Sequence, residues 1–569
     1  MSTKLSFKTI LFAGVAAIAL SGCGSNDSSN TSSGSAASSV SKVASLNASG
    51  GSPFDKAFSL KGASALDVDA LFASLGYTGE KFYSSSSFDE KSGATTINNI
   101  SITGDEGSVV TIAKAELYGV STQAIESVKS NTGSFDAPFL SVFEKIRLHD
   151  ISITPPSDAG GEFDKLAITF SGIEADKLQI REGGLNLEAD EDTYPAQAMN
   201  MLDLGGLYFK DINFDLASEE NFSLKLTSPD YRIVGFGGGK LNGLIANDLE
   251  YEFVQSRGAL ENSLEALGPE AGDLLNGPLG SLLGFNGQRI KVGSMKWLNI
   301  DGSGLIPFGL NGEMPPMSEK NILSLGSGEY TDFEQYVGDK KLFSAKSASF
   351  VADKFTWLIP NNVTANVKDA NYDLTAYLPD GEDELLGIMT KYGLNDVDGE
   401  GEMLWNYDDK NGSAKLNYAF NTDKLLDLDL VLNSDNLKYD EIATLIANED
   451  QEGILGLGNL NNFKLVLKDK NALNMAFDIA ALQMGAGSGD DIRSSAPALL
   501  RLGGGQFAQL NPKYNDYIDA LASFIGSGGT LEITADPEGG IPFAQLGFIA
   551  SQSPETLPDL LGLEVTRKK

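Results

Sequence analysis

The chain has one cysteine, Cys23, and one histidine, His149, in 569 residues. A single thiol excludes an intramolecular disulfide and a thiolate-rich zinc site. A single imidazole excludes multi-histidine metal centres and a Cys–His nucleophile pair. Positive charge is scarce as well: 42 Lys and Arg stand against 78 Asp and Glu, a net −36. A chain that acidic repels phosphate backbones, which excludes nucleic acid as a partner. Past the first two dozen residues, no stretch approaches the run of about 18 apolar residues that marks a membrane-spanning helix. The rest of the composition, 41% hydrophobic and 21% charged, is that of a folding chain with a sizeable core. At roughly 150 residues per domain the length suits three or four domains, or two large units if the architecture is all-β.

The N-terminus reads as an address. Lys4 and Lys8 supply a basic start, and residues 9–20 (TILFAGVAAIAL) form an apolar run of 12, too short for a bilayer span of about 20 residues. It ends in Leu20-Ser-Gly-Cys23. This tetrapeptide resembles the bacterial lipobox, which implies cleavage after residue 22, acyl chains on Cys23 and no other cofactor. Gly24 rather than Asp follows the cysteine, which by resemblance to the sorting rule of enteric bacteria implies the outer membrane. Residues 24–52 then hold 12 serines in 29 positions, a composition that buries too little surface to fold. They read as a flexible tether with an r.m.s. span of roughly 30 Å.

From residue 53 the chain alternates short strands with small helical patches. Apolar and polar residues alternate strictly at 166–170, 212–216, 222–226, 416–420, 426–432 and 475–479, the mark of half-buried antiparallel strands. Helical spacing appears at 68–75, 123–128, 138–146, 384–392, 439–447 and 514–525. Residues 257–283 read as helical pieces broken by Gly and Pro. Phe88-Asp-Glu-Lys-Ser-Gly-Ala94 matches Tyr407-Asp-Asp-Lys-Asn-Gly-Ser413, each after a helical stretch and before a strand. The order predicts a duplicated helix–hairpin–helix–strand unit over 60–170 and 380–480, with the Asp-x-x-x-Gly segments as hairpin turns. The expected fold is therefore mainly β with small α, a long curved antiparallel sheet built from that unit. A signal peptide at 1–22, a lipidated tether at 23–52, a region at 53–375 and a region at 376–569 are the expected divisions.

The leucine-glycine stretches, the Tyr-Asp-x-x-x-Gly turn and the closing Ile533-Thr-Ala-Asp-Pro537, Ile541-Pro-Phe543 and Leu557-Pro-Asp-Leu-Leu-Gly-Leu563-Glu-Val565 resemble secreted, strand-repetitive periplasmic proteins of proteobacteria, the broad group that includes AsmA-like proteins. The resemblance implies an envelope location and contact with lipid. It carries no catalytic motif, and a lipobox here replaces the N-terminal membrane helix of AsmA-like proteins.

The remaining motifs favour structure over chemistry. Gly235-Phe-Gly-Gly-Gly239-Lys240 lacks both the spacing and the following Ser or Thr of a phosphate loop and reads as a turn between strands. Asp396-Val-Asp398-Gly-Glu400 resembles the opening of a calcium loop, with oxygens at alternate positions, but its twelfth position is Tyr407 instead of a bidentate Glu; Asp396, Asp398 and Glu400 are the calcium candidates. His149 sits where the parity of Ile146 and Leu148 conflicts with that of Ile151 and Ile153, so a bulge is expected and its facing is open. No Gly-x-Ser-x-Gly elbow is present, and 78 carboxylates make any candidate glycosidase pair uninformative.

These readings point to a non-enzymatic, lipid-anchored component of the outer membrane, facing the periplasm or the surface. It would hold lipid on an apolar sheet face or bind an envelope protein. The alternatives are an acidic, calcium-using surface adhesin and a carboxylate hydrolase of envelope polysaccharide. If Cys23 carries the anchor, Cys23→Ser moves the mature protein from the membrane pellet to the soluble fraction on cell fractionation. A variant that stays with the pellet places the anchor elsewhere.

Overall fold

Among the described residues strands make up 50% and helices 27%, and 19 strands pair antiparallel in a large sheet, so the fold is mainly β. The computed structural model describes residues 54–569 except 55, 80, 104–107, 129–135, 155–164, 185–192, 219–221, 256–287, 358, 379–380, 449 and 486. The leader, the tether and the 257–283 segment lie outside the described residues. Among the described residues no helix is long and apolar enough to cross a membrane. Among the described residues the chain divides into two compact units between Tyr330 and Thr331.

The first unit runs α1 (Val68–Ser74), β1 (Ser85–Asp89), β2 (Ala94–Thr103), β3 (Val109–Tyr118), α2 (Thr122–Val128), β4 (Phe139–Thr154), β5 (Lys165–Arg181), α3 (Tyr194–Met201), β6 (Leu202–Ser218), β7 (Phe222–Gly237), β8 (Lys240–Gln255), β9 (Gln288–Asp301) and α4 (Ile306–Gly309). Each strand from β1 to β9 pairs with the next in sequence. The glycine run singled out in the sequence is the tight turn from β7 to β8, with Gly237 paired to Lys240.

The apolar side chains of this meander do not keep the two-residue period. Inward residues step by three at one level of every strand from β2 to β9: Ile97 to Ile100, Ile112 to Ala115, Leu148 to Ile151, Phe170 to Ile173, Phe209 to Ile212, Ser228 to Tyr231, Ala246 to Leu249 and Val292 to Met295. Side chains alternate faces along a strand, so a step of three means one extra residue. Because every strand carries it at the same level, the ladders on either side stay in register. The extra positions form a seam across the sheet. On alternate strands the seam residue is left-handed: Asn99, Asp150, Asp211 and Asp248, with φ of 51°, 49°, 51° and 45°. Asn and Asp tolerate that region best among residues with a side chain. The strands between them place Ala113, Ser171, Pro229 and Gly293 on the seam. Pro229 thereby sits in a central strand at a point where the ladder is interrupted on both sides, so its missing N–H breaks nothing.

A second seam crosses β5 to β9 through Lys177, Gly205, Gly235, Asn242 and Asn299; Lys177, Gly235 and Asn299 have φ of 43°, 58° and 62°. Again the inward step is three, as in Leu204 to Leu207 and Ile233 to Phe236. In β4 the same step runs from Phe143 to Ile146, opposite Leu178 and Ala175. That step imitates helical spacing and explains why 138–146, expected as a helix, is the start of β4.

The second unit runs β10 (Gly326–Val337), β11 (Lys340–Thr356), β12 (Ile359–Tyr372), α5 (Asp383–Lys391), β13 (Val397–Asp408), β14 (Ser413–Thr422), β15 (Leu426–Asp435), α6 (Tyr439–Ala447), α7 (Gln451–Gly456), β16 (Asn459–Asp469), α8 (Ala472–Met484), α9 (Gly489–Leu510), α10 (Lys513–Ser527), β17 (Thr530–Ala535), β18 (Ile541–Pro542), α11 (Phe543–Gln552), α12 (Leu557–Leu560) and β19 (Glu564–Lys568). β11 to β17 pair in sequence, β18 returns to β16, and β19 pairs with β17. From β13 to β15 the period is plain, and these strands pair without a shift.

Residues 475–479, expected as a strand, lie in α8. Their alternation over five residues is embedded in a run of Ala, Leu and Met, strong helix formers, from 472 to 484, and over that length propensity outweighs a short alternating pattern. The two Asp-x-x-x-Gly segments are both hairpin turns. Gly93 and Gly412 take φ of 73° and 72°, and their N–H groups donate to the carbonyls of Asp89 and Asp408 at 2.7 and 2.8 Å.

The left-handed seam gives a direct expectation. Asp248 is exposed, so its replacement tests backbone strain with little change in packing. Asp248→Val should destabilise by about 1–2 kcal/mol relative to Asp248→Gly in urea unfolding, since a β-branched residue is strained at positive φ. Equal stabilities for the two variants would contradict the left-handed assignment.

Candidate functional site

The unbroken alternation of β13 to β15 gathers their apolar residues on one face. Register places Val367, Gly401, Phe420, Leu428, Leu467 and Leu531 side by side across β12 to β17. A second row holds Ala365, Met403, Tyr418, Leu430, Leu465 and Ile533, and extends to Val565 of β19. A third holds Val363, Trp405, Leu416, Leu432, Phe463 and Ala535. The Trp405 indole donates to the Pro360 carbonyl at 2.6 Å, which satisfies its one polar atom. The rings of Phe333, Phe343, Tyr372 and Phe420 continue the surface with centroid separations of 5.7, 4.9 and 6.1 Å.

These rows are only partly covered. Within them Leu531 and Ala535, at the β17 end, are buried at 4% and 3% exposure, beside α10, whose Tyr517, Ala522 and Phe524 are also buried. Tyr418, in the middle row, is 38% exposed, and the others are half-buried. Isolated apolar residues at a surface are common; a contiguous patch of this extent is not.

The opposite face of the same strands is ionic. Asp427 lies 2.5 Å from Lys470 and 3.4 Å from Lys468. Burial works to raise its carboxyl, but the two ammonium groups outweigh that and hold it below the ordinary carboxylate range. Glu532 is held low by Lys568, with Lys464 at 2.9 Å. Between the helices, Asp478 of α8 accepts from Lys391 at 2.6 Å and from the Tyr392 hydroxyl at 2.7 Å. The Lys391 bond is the main reason its carboxyl is low. This contact ties α8 to the end of α5 and gives residue 478 a packing role that a strand would not have.

The calcium candidates are not brought together as a loop. Asp398 and Glu400 lie on extended β13 and are exposed, with Asp396 just before it. Asp396 and Asp398 both accept from the Asn371 amide, at 2.8 and 2.9 Å, and Asp396 pairs with Lys424 at 3.2 Å. A calcium loop curls its oxygens onto one ion, whereas here Asp396 and Asp398 turn to the Asn371 amide and Asp396 to Lys424, and Glu400 lies further along the extended strand. Among the described residues no group of three or more His, Cys, Asp or Glu side chains is placed to hold a metal ion. Cys23 lies outside the described residues. The parity conflict at His149 is the seam at Asp150: Leu148 and Ile151 face inward and His149 outward, edge-on to Phe54 at 5.2 Å. Burial pushes its imidazole below the ordinary value. Alternation revealed the rows through β14 and β15; the aromatic extension through Tyr372 was not visible, because a register shift between Val367 and Ala370 resets the parity of β12.

The depressed carboxyls set an acid dependence. A group whose pKa falls on folding stabilises the native state above its unfolded value, near 4, and loses that contribution as pH drops through the folded one. Urea unfolding should therefore show stability falling between about pH 5 and pH 3. Asp427→Asn should flatten that slope, and an unchanged slope would remove Asp427 from the account.

A family model described only as an uncharacterised protein matches residues 419–568, the part of the chain that carries β15 to β19 and the helices between them. No curated protein matches the chain.

Proposed function

We propose that this is a lipid-anchored protein of the bacterial outer membrane that holds acyl chains on the apolar face of β12 to β17 and performs no catalysis. The observation that carries this reading is the set of three apolar rows, continuous over six strands and half-open at Tyr418. A sheet with one apolar face must cover it with another layer or with a ligand. Each methylene moved from water onto such a face contributes about 0.8 kcal/mol, so an acyl chain laid across several strands binds without any directional contact. The Leu20-Ser-Gly-Cys23 motif supports the anchor and the envelope location, and the serine-rich 24–52 segment supports a body held near a membrane but free above it. Leu499, Leu502 and Leu510 on α9 and Phe548 on α11, exposed at 64%, 81%, 53% and 67%, fit a surface that works beside lipid.

The same reading takes residues 60–170 and 380–480 as copies of one unit. Its support is order and detail. α1, β1, β2, β3, α2 and β4 correspond to α5, β13, β14, β15, α6 and β16. In both turns the Asp side chain accepts from the N–H two residues on, Lys91 at 3.2 Å and Lys410 at 3.0 Å.

Mass spectrometry of organic extracts from detergent-free Cys23→Ser protein tests the function, since that variant cannot contribute its own anchor. Co-purified lipid is expected at a stoichiometric level, and Leu430→Asp with Leu465→Asp should remove most of it. Extracts free of lipid, together with a wild-type thermal midpoint that does not respond to added fatty acid, would overturn the reading.

A further inference from the structure

We propose that Phe54 and residues 56–60 form a releasable clasp, seated by the chain itself across the polar face of β3 to β6. The segment follows directly on the serine-rich stretch, and it lies on the face opposite the core of the first unit. The Phe58 ring stands edge-on to Tyr118 at 4.9 Å, with the Lys145 ammonium 5.0 Å from its centroid. Phe54 stands edge-on to His149 at 5.2 Å and 5.8 Å from Tyr208. Its ring occupies the space over Gly172, where a Cβ would come within 2.6 Å of Cζ. Between them the Lys56 carbonyl accepts from Arg147 Nη2 at 2.7 Å, and beyond them Leu60 N–H donates to the Ser92 carbonyl at 2.8 Å.

What the segment covers explains why it opens. Beneath it Glu174 accepts from Lys145 Nζ at 2.5 Å and from Arg147 Nε at 2.6 Å, and these three residues are 3%, 7% and 7% exposed. Charged groups buried this far have given up hydration that their pairing only partly returns. Uncovering them restores water to the cluster, which offsets the loss of three ring contacts and two hydrogen bonds of the segment's backbone. The segment crosses the strands instead of running along them, and Lys56 to Leu60 belong to no strand. Opening therefore breaks no ladder and leaves the core rows untouched. Release frees seven residues, about 25 Å of extended chain. That this lengthens the reach of an anchored body rests on the lipoprotein reading; the clasp itself does not.

Hydrogen exchange on the full chain separates the two. Amides 57–60 are expected to exchange at least a hundredfold faster than those of β5 and independently of low urea, the mark of local opening. Gly172→Val suits a strand yet fills the Phe54 seat, so it should speed exchange at 57–60 a further tenfold while the urea midpoint stays unchanged. Phe54→Ala with Phe58→Ala should do the same without altering β5. Exchange of 57–60 at the rate of β5 would overturn the clasp. So would a Gly172→Val variant whose urea midpoint falls in step with its exchange, or one whose exchange at 57–60 does not change. Because none of these readouts depends on Cys23 or on lipid, failure here leaves the lipid reading standing, and the reverse holds as well.

Discussion

A residue inserted into one strand of a sheet flips every side chain beyond it to the other face, unless all the neighbours carry the same insertion. The first unit is built on that constraint. Eight adjacent strands share an extra residue at one level, and Asn99, Asp150, Asp211 and Asp248 absorb it in left-handed backbone. The inward rows above and below the seam then remain aligned, from Ile97, Ala115 and Leu148 through Phe209 to Ala246, and from Ile100 and Ile112 through Ile151 to Ile212. One strand out of step would put a row of isoleucines into water. Extra residues of this kind bend and twist a strand locally, so sharing them bends neighbouring strands together and spares the register.

The three strands β13 to β15 show what happens without shared insertions. β13 to β15 pair without a shift, so Leu416, Tyr418 and Phe420 face Leu428, Leu430 and Leu432 in straight rows, and the ionic groups Asp427, Lys468, Glu532 and Lys568 collect on the other side. The first unit buries its apolar residues into one large cluster, whereas the rows of the second stay half-open. The difference in period is thus also a difference in what the two surfaces offer to a ligand.

Legibility in the sequence followed the same division. Strict alternation located half of β14 and most of β15, and it located β5, β6 and β7 only in the halves that lie on one side of a seam. The conflict of parity around His149 was visible as a bulge. That the bulge belonged to every strand was not visible, because Ala113, Ser171 and Gly293 carry no local mark of it. Residues 138–146 looked helical because a seam step of three matches helical spacing, and 475–479 looked extended because five alternating residues masked a helix of Ala, Leu and Met. The hairpins at Asp89 and Asp408 were legible through turn chemistry alone. The rows of the candidate site were half legible, since alternation shows which residues share a face and says nothing of what covers that face. The seat of Phe54 on Gly172 left no sequence signal, as it joins residues more than a hundred positions apart.

The account stands on the apolar face of β12 to β17 being open to acyl chains. The most direct measurement is photocrosslinking with a diazirine-bearing fatty acid, followed by peptide mapping of the labelled sites in the Cys23→Ser protein. Labels are predicted to concentrate on β14, β15 and β16, at Tyr418, Leu430 and Leu465 above all, and to be displaced by unlabelled fatty acid. Labels spread evenly over the surface, or absent from these strands while present elsewhere, would contradict it.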